Sequence, residues 1–593
     1  MLRFLSLVSP CQRQGHPLDM APPVESDLRQ VGLRRQTCPQ VCILRRGLMK
    51  SVARYTAWPM VMRFLSLVVL ILPPCVGGEP PTIDRFVPAG GQRGATIDVK
   101  LVGKPGDGDL RVLSENDSIV FTLNENRDAA SVTINEAARP GVHWLRFCNA
   151  DGATQLKPFI VGLIPEVAET EPNGRIVEAT AVSSPAVTAN GVLEKSGDVD
   201  TYAVTLTKGQ TLVAAMQANE VLGSPMDGVL QIVNARGTVV AQNDDDISRD
   251  PRIVFLVPED GIWYVRTFAF PAAPDSSIRF AGGADYVYRL TLTSGPMIEH
   301  VEPAMCFAKD SETSLTVFGS NIPTATVSIP ADQRELAEPY ALPFRIPRIE
   351  IPSVVESQLA ADRTLSIPIA VTGRIASSGA SAFLLTATKD QKLSIGVQAQ
   401  SIGSLLDPVL TVEDSSGKVI KESDDIGGDN HDAEMHITMP ADGQYRVVIR
   451  DRFQDFGDRY FYVLRCGETQ ASFAATIAST AETLKADKPL EIPITIVRQH
   501  GFAEPIDVRV EGLPEGVTFE CPRSEKDGET SKKVTLKISG STTELFQGAI
   551  RIVAESTESK QVQPVTFTTA DKSLVTEFWL TVPTPPEKAE SNQ

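Results

Sequence analysis

Seven acidic and amide side chains carry the clearest chemistry in this sequence of 593 residues. They recur at turn positions between short runs in which apolar and polar residues alternate. Carboxylate and amide oxygens are the hard ligands that Ca²⁺ takes in sets of about six to eight. The sequence therefore predicts a calcium site, and its candidate ligands are Glu169, Glu171, Asn173, Asp198, Asp200, Asp244 and Asp245.

These residue types also favour turns for a structural reason, because their side chains bond to neighbouring backbone groups. The chain offers a comparison that separates the two interpretations, since a weaker copy of the region recurs near residues 372–465. In that copy Asp424 and Asp425 repeat the turn of Asp244 and Asp245. The paired aspartates are therefore interpreted as part of the fold.

The other five side chains have no counterparts in the second copy. Gly379 and Ser381 stand where the first copy has Asp198 and Asp200, and no Glu-Pro-Asn sequence precedes them. If the chain binds a metal, the residues present only in the first copy are the ones that hold it. They are Glu169, Glu171, Asn173, Asp198 and Asp200.

Short strands must position these side chains. Runs such as Thr201–Thr207, Thr211–Ala218 and Val229–Asn234 alternate as half-buried strands do, and turn residues such as Gly209 and Gly237 separate them. Aromatic residues are sparse, while Gly and Pro number 42 each. This pattern predicts an all-β fold of tandem β-sandwich domains.

Several motifs follow one another over about 130 residues of the first copy. They are Glu169 to Asn173, Gly197 to Tyr202, Lys208 to Gln210, Leu222 to Ser224, Asn243 to Asp245, and Tyr286 to Leu290. Their order resembles the bacterial pre-peptidase C-terminal (PPC) domain. The resemblance implies a jelly-roll sandwich that usually accompanies a secreted peptidase. It also supports calcium, because PPC-like collagen-binding domains use Glu, Asn and Asp near their start.

The flanking segments resemble immunoglobulin-like modules of IPT/TIG type, in an architecture similar to that of secreted planctomycete proteins. The motif Pro-x-Ile-x-x-Phe-x-Pro-Ala-Gly-Gly opens the first of these modules at Pro81. The expected order is a leader (1–78), an immunoglobulin-like module (79–163), a PPC domain (164–296), a short immunoglobulin-like piece with a Pro-rich connector (297–365), a diverged PPC-like domain (366–468), an immunoglobulin-like module (469–583) and a disordered tail (584–593).

The leader is basic and contains one apolar run. Arg63 precedes the run Phe64–Leu72, and small residues follow as far as Gly78. This arrangement predicts a secretory signal peptide at 62–78 and favours a translation start after 1–59. We therefore expect a secreted, periplasmic or cell-surface protein with no transmembrane segment in the mature chain. The net charge of −18 argues against nucleic acid as a partner.

Other chemistry is weaker in the sequence. Common catalytic motifs such as Gly-x-Ser-x-Gly and His-Glu-x-x-His do not occur. His431 and His436 lie in an acidic loop that could bind zinc, although a solvated turn explains them better. Aromatic residues at 263–270, Tyr286 and Tyr288 could form a binding platform, but their alternation favours the core. The four cysteines after residue 78 are widely spaced, which favours isolated thiols over disulfides.

Two functions fit this pattern. The first is a non-catalytic secreted or cell-envelope protein that binds an extracellular protein, glycan or matrix surface, with calcium as its expected stabiliser. The alternative is an accessory or diverged component of a secreted peptidase system. The sequence analysis predicts that the chain itself is not an enzyme, and it predicts no cofactor other than calcium.

Overall fold

The computed structural model describes residues 78–584, except 115–116, 184–185, 274–278, 324, 377–378, 428–429 and 487. The predicted signal peptide and nearly all of the predicted tail therefore lie outside the described residues. Strands make up most of the described chain, which confirms the predicted all-β fold of tandem β-sandwiches. Among the described residues, no helix is long and apolar enough to cross a membrane.

Residues 79–163 form two small sheets that enclose a core centred on Phe86, Phe147 and Phe159. The first sheet has the order β1-β3-β6-β5 and the second β2-β9-β7-β4, with β8 paired to β7. The strands are β1 (Thr82–Val87), β2 (Gly90–Gln92), β3 (Thr96–Lys104), β4 (Arg111–Leu113), β5 (Ile119–Leu123), β6 (Ala129–Ile134), β7 (Gly141–Asn149), β8 (Gly152–Ala153) and β9 (Lys157–Gly162).

The next segment is a sandwich of two five-stranded sheets, and we call it the first repeat. The elements are β10 (Glu166–Ala168), β11 (Thr180–Val182), β12 (Ala186–Val192), β13 (Asp200–Leu206), β14 (Thr211–Gln217), the short helix α1 (Asn219–Leu222), β15 (Met226–Val233), β16 (Val239–Asn243), β17 (Arg252–Leu256), β18 (Gly261–Pro271) and β19 (Val287–Thr293). One sheet has the order β10-β12-β19-β14-β17, and the other has the order β11-β13-β18-β15-β16. Inward residues of both sheets form one core, in which Tyr202, Trp263 and Tyr288 are the largest side chains.

A smaller segment follows, which we call the middle segment. In it a three-stranded sheet (β20-β22-β23) and two strand pairs surround Cys306, Leu315 and Tyr340. The pairs are β21 with β26 and β24 with β25. Its strands are β20 (Met297–Glu302), β21 (Cys306–Phe307), β22 (Glu312–Ser320), β23 (Ala325–Pro330), β24 (Glu335–Leu336), β25 (Phe344–Arg345) and β26 (Arg348–Ile349).

The second repeat has the same topology as the first. Its sheets run β27-β29-β36-β31-β34 and β28-β30-β35-β32-β33. Short 3₁₀ turns occupy Glu356–Gln358 and Gln400–Ile402. The strands are β27 (Ser353–Val355), β28 (Thr364–Leu365), β29 (Ile369–Arg374), β30 (Ala380–Ala387), β31 (Lys392–Gln398), β32 (Pro408–Glu413), β33 (Val419–Ser423), β34 (Ala433–Thr438), β35 (Gly443–Asp451) and β36 (Phe461–Glu468).

The last segment folds its ten strands around Phe473, Leu536 and Phe578. They pair in the order β38-β46-β43-β44-β37-β39-β42-β41, while β40 adds to β43 and β45 to β44. The strands are β37 (Ser472–Thr476), β38 (Ala481–Thr483), β39 (Leu490–Gln499), β40 (Ile506–Glu511), β41 (Val517–Glu520), β42 (Lys533–Gly540), β43 (Phe546–Ser556), β44 (Val562–Thr568), β45 (Leu574–Val575) and β46 (Glu577–Val582).

A buried histidine joins the middle segment to the second repeat. The His300 ring is 2% exposed and is stacked between Phe318, at 4.6 Å between ring centroids, and Phe461, at 4.2 Å. Neither ring nitrogen has a hydrogen-bond partner among the described residues. Burial, assisted by the positive charge of Arg374, lowers the pKa of His300 to about 4. The ring is therefore neutral in the folded protein at neutral pH.

Because of this environment, the free energy of unfolding depends on pH. The pKa of His300 rises from about 4 in the folded chain to about 6.5 in the unfolded chain, so the unfolded state binds the extra proton between these values. The stability that the buried neutral ring contributes is fully present above pH 6.5 and is lost as the pH falls toward 4. We expect His300→Phe, which keeps an aromatic ring in the stack, to remove up to about 3 kcal/mol of this acid destabilisation. Urea unfolding at pH 7 and pH 4.5 measures it, and an equal pH difference in both proteins would contradict it.

Candidate functional site

The edge of the first repeat brings part of the predicted metal site together. Glu169 and Glu171 follow β10, which pairs in parallel with β12, and Asp200 begins β13 in the facing sheet. The Glu169 amide donates to the carbonyl of Asn190 at 3.0 Å, which fixes the chain where it leaves β10. One carboxylate oxygen from each of the three acidic residues lies within 4.8 Å of those of the other two.

A buried ion pair holds β10 in position beneath the cluster. Arg289 on β19 is 1% exposed and donates to both carboxylate oxygens of Glu166, at 2.6 and 2.9 Å. The same guanidinium donates to Asn190 at 2.9 Å, and the Asn190 amide donates back to Glu166 at 2.8 Å. Bidentate pairing of this kind gives a fixed geometry. The acidic cluster therefore rests on a rigid support.

Two tyrosines complete the cluster from inside the sandwich. The Tyr288 hydroxyl donates to Asp200 at 2.5 Å and lies 3.3 Å from Glu169 Oε2. Tyr202 bonds to the Tyr288 hydroxyl at 2.7 Å. The amide of Val192 donates to the second oxygen of Glu169 at 2.7 Å. Sequence reasoning considered Tyr288 only as a core or platform residue, although both tyrosines belong to the motifs that revealed the region.

Two buried oxygens of the cluster have no hydrogen-bond partner among the described residues. They are Oδ1 of Asn173 and Oδ1 of Asp200, and both residues are 0% exposed. The Asn173 amide nitrogen lies 3.5 Å from Glu169 Oε2, which places the side chain against the cluster. A buried oxygen without a donor is costly. Such oxygens are suited to a cation.

The electrostatics of the cluster are unfavourable without positive charge. Burial, and then the neighbouring Glu169 carboxylate, raises the pKa of Asp200 to about 10. Burial also raises the pKa of Glu169. Two adjacent carboxylates in a water-poor site cannot both stay ionised unless a cation compensates them. The arrangement can therefore hold either a shared proton or a metal ion.

The remaining predicted ligands have other positions. Asp198 accepts a hydrogen bond from the Glu194 amide at 2.7 Å and so shapes the loop before β13. Asp244 and Asp245 follow β16. The register Asp200–Thr267–Leu230–Asn243 puts three strand spacings, roughly 14 Å, between the cluster and that strand. The paired aspartates therefore do not join the cluster, and their neighbour is Asp227.

The cluster borders a cavity of about 320 Å³. Its walls are Phe86 to Ala89 from the first segment, Val192 and Val287 from the first repeat, and the carboxylates of Glu169, Glu171 and Glu194. A solvated ion therefore has a route to the acidic groups.

The second repeat has a different set of charges around the equivalent carboxylate. Glu356 follows β27 as Glu169 follows β10, and Tyr462 donates to it at 3.0 Å as Tyr288 does to the acidic cluster. Ser381 replaces the second carboxylate. Arg363 forms a salt bridge with Glu356. A guanidinium thus stands where the described part of the first repeat has no cationic side chain.

The other predicted sites are dispersed or buried. Asp407, Asp425 and His431 could share a metal ion, although Asp425 already faces Arg452 at 3.7 Å. His436 does not join them, because its ring packs on His500 at 3.9 Å. The aromatic residues divide by strand alternation: Trp263 and Tyr288 are core, while Tyr264, Phe268 and Phe270 are partly exposed. The cysteines at 148, 306, 466 and 521 are free thiols.

Comparison with known proteins gives a limited result. No protein-family model matches the chain. It is 28% identical over 174 residues to a probable subtilase-type serine protease of Deinococcus radiodurans. The match covers 29% of this chain and 21% of the protease, so the chain spans about a fifth of that relative's length.

Two solved structures match the chain at 9% sequence identity. One is the M60 catalytic domain with two CBM51 domains from Clostridium perfringens ZmpB, with a TM-score of 0.14 over 66% of this chain and 55% of that one. The other is Escherichia coli alpha-2-macroglobulin, with a TM-score of 0.13 over 86% and 47%. TM-scores this low carry no argument about fold or function.

One prediction needs correction. The sequence analysis predicts that the chain is not an enzyme, and its likeness to part of a serine protease contradicts this. The prediction is wrong because it relied on the lack of local catalytic motifs. Residues of an active site come together only in the folded chain, so short sequence patterns are a weak test.

The cluster itself yields a prediction. In calcium-free buffer we expect Asp200→Asn to raise the free energy of unfolding by about 1–3 kcal/mol, because a neutral amide replaces a buried carboxylate and still accepts from Tyr288. Asp244→Asn, on the far edge of the sheet, is the matched control and should change it by less than about 0.5 kcal/mol. Urea unfolding in EGTA measures both, and an Asp200→Asn protein less stable than wild type would contradict the electrostatic argument.

Proposed function

We propose that this chain is a calcium-stabilised binding component of a secreted peptidase system. In this proposal residues 164–296 form a PPC-type domain, and 366–468 form its diverged copy. The ordered motifs of the first repeat support it, as does the likeness to part of a subtilase-type protease. An extracellular protein, a glycan or a matrix surface is the proposed partner, outside the cell or at its envelope.

The comparison of the two repeats carries the calcium proposal. Glu356 in the second repeat has Arg363 as its counter-charge, whereas no basic side chain among the described residues acts on Glu169 or Asp200 in the first repeat. A buried carboxylate pair is strongly unfavourable unless its charge is compensated. Because the first repeat retains the carboxylates and lacks the arginine, a bound cation is the simplest way to compensate their negative charge.

The side chains present fit Ca²⁺ better than a softer metal. Glu169, Glu171 and Asp200 would supply carboxylate oxygens, and Asn173 would supply the amide oxygen that has no donor. All four donors are hard oxygens, which suits calcium rather than zinc. When bound, the ion would neutralise the cluster and tie the segment after β10 to β13. Its role is then stabilisation of the sandwich edge.

Calcium should raise stability because it binds the folded state. At a free concentration one hundred times the Kd, the gain is about 2.7 kcal/mol. We expect the thermal unfolding midpoint of the purified protein to rise by several degrees in CaCl₂ relative to EGTA, and much less in MgCl₂. Equal midpoints in CaCl₂ and EGTA would remove the calcium proposal.

Matched variants locate the effect. Glu169→Gln and Asp200→Asn should abolish the calcium-dependent shift, while Asp424→Asn in the second repeat should leave it unchanged. A shift that survives in both first-repeat variants would place the calcium elsewhere in the chain.

The link to a peptidase has its own test. The tagged protein is recovered from culture medium after reaction with a fluorophosphonate probe, which labels active serine hydrolases. We expect a labelled band, either in this chain or in a protein that co-purifies with it. The absence of any labelled band from both would contradict the association with a serine peptidase.

A further inference from the structure

The two repeats present the same sheet face in different ways. In the first repeat, Val213 and Ala215 on β14 point to the outside of the sandwich and yet are buried, at 0% and 6% exposure. Met297 and Leu342 of the middle segment cover them. Thr293 on the neighbouring strand β19 is also fully buried. This face is therefore used for packing between segments.

The equivalent face of the second repeat is open. Ser394 and Gly396 on β31 occupy the register positions of that covered pair, and Gly396 lies between Arg465 on β36 and Glu434 on β34. Gly467 continues the face beside Ser394. Together they line a cavity of about 880 Å³. This volume falls in the range of about 300–1,000 Å³ typical of ligand clefts.

Packing does not explain the two glycines on the cavity floor. A Cβ on Gly396 would meet no atom nearer than the Ala433 carbonyl at 3.7 Å, and one on Gly467 would meet Pro368 at 3.6 Å. Both are ordinary van der Waals distances, so either position could carry a side chain. Glycine in a strand interior costs stability and often marks close approach of a ligand. The floor is open although the fold does not require it.

The walls come from three segments of the chain. Ile351 belongs to the connector before the second repeat, while Gln470 and His500 belong to the last segment. Most polar lining groups are amides or hydroxyls, each of which both donates and accepts hydrogen bonds. Oε1 of Gln398 is buried without a partner among the described residues. The uncharged polar lining residues are Gln391, Ser394, Gln398, Ser401, Asn430 and Gln470.

The charges of the cavity disfavour an ionic ligand. Glu434 already accepts from Ser394 at 3.3 Å, and Glu468 accepts from Gln391 at 3.3 Å. Arg465 forms no ion pair with a described residue, so one guanidinium stands against the three carboxylates of Asp432, Glu434 and Glu468. The chain's net charge of −18 further opposes a polyanion.

The cavity is also poorly suited to an extended peptide. Strands β31 and β36 are interior strands whose backbones are paired on both sides, so no free edge on the floor is available to add a peptide strand. The lining contains no Trp, Tyr or Phe to anchor an apolar side chain. A ligand rich in hydroxyl groups matches the amides and hydroxyls, and a sugar ring can lie flat on a glycine floor.

We propose that this cavity, which we call the glycine-floored groove, binds a segment of neutral glycan. The inference gives a site to the binding role proposed above and rests on that role. It does not depend on the calcium cluster, which lies in the other repeat.

Affinity electrophoresis of the purified protein tests the groove. The gels contain soluble starch, β-glucan, galactomannan or xylan, and a fifth contains polygalacturonate as an anionic glycan. We expect retardation by at least one neutral polysaccharide. Gly396→Tyr, whose Cβ would come no nearer than 3.7 Å to the Ala433 carbonyl and whose ring would occupy the groove, should weaken that binding by at least tenfold, and Gln398→Ala should weaken it severalfold.

Gly396→Ala is the matched control at the same position, because a single methyl group leaves most of the groove open. Its affinity for the polysaccharide should lie within about threefold of the wild-type affinity. All three variants should have thermal unfolding midpoints within a few degrees of the wild-type midpoint. No retardation by any neutral polysaccharide would overturn the proposal. Equal binding by wild type and Gly396→Tyr would also overturn it. So would retardation by polygalacturonate alone, or binding of peptides from a casein digest instead of a neutral polysaccharide.

All gels are run in CaCl₂ and in EGTA. Binding that persists in EGTA while calcium leaves the unfolding midpoint unchanged would support the groove and remove the calcium proposal. An unfolding midpoint that depends on calcium, without glycan binding, would support the calcium proposal and remove the groove proposal.

Discussion

Compensation of buried negative charge is the constraint on which this molecule depends most. A carboxylate directly after β10, which pairs in parallel with β12, recurs at the equivalent place in the second repeat, and a tyrosine from the core bonds to each. Removing such charges from water costs several kcal/mol unless a counter-charge is close. The second repeat supplies Arg363, whereas the first repeat has a second carboxylate, Asp200, and two buried oxygens without a hydrogen-bond partner among the described residues. The two repeats therefore share this carboxylate and its tyrosine but differ in the charges beside it.

The same principle joins the repeats to each other. Asp246 ends the acidic turn of the first repeat and accepts two hydrogen bonds at 2.9 Å from Arg459 of the second repeat. Arg252 lies 3.4 Å from Asp246 and 3.3 Å from Glu299, so four charges from three segments form one network. Part of the acidic turn thus holds segments together, while Glu169 and Asp200 form a separate site. Density of carboxylates alone does not distinguish these roles.

Packing between segments also decides which surfaces remain open. The outer face at Val213 is covered by the middle segment, and the corresponding face at Gly396 is not. The first and last segments meet directly, since Gln155 accepts from the Thr480 amide at 2.7 Å and Arg146 donates to the Thr480 carbonyl at 3.1 Å. Every face that a neighbour covers is lost to ligands, so the tandem arrangement itself selects the groove.

The sequence by itself determined the all-β class, the internal repeat and the acidic region, because alternation and turn residues are local properties of the chain. It also pointed to Asn173 and Asp200 through their absence from the second copy. For Glu169 that reasoning was wrong, because Glu356 occupies the equivalent place in the second repeat and accepts from Tyr462 as Glu169 does from Tyr288. Only the tertiary structure decided which acidic residues meet, because Asp244 lies next to apolar runs just as Asp200 does and yet follows β16, the strand at the far edge of the sheet. Distances across a sheet depend on strand order, and strand order is set by long-range pairing that no short stretch of sequence contains.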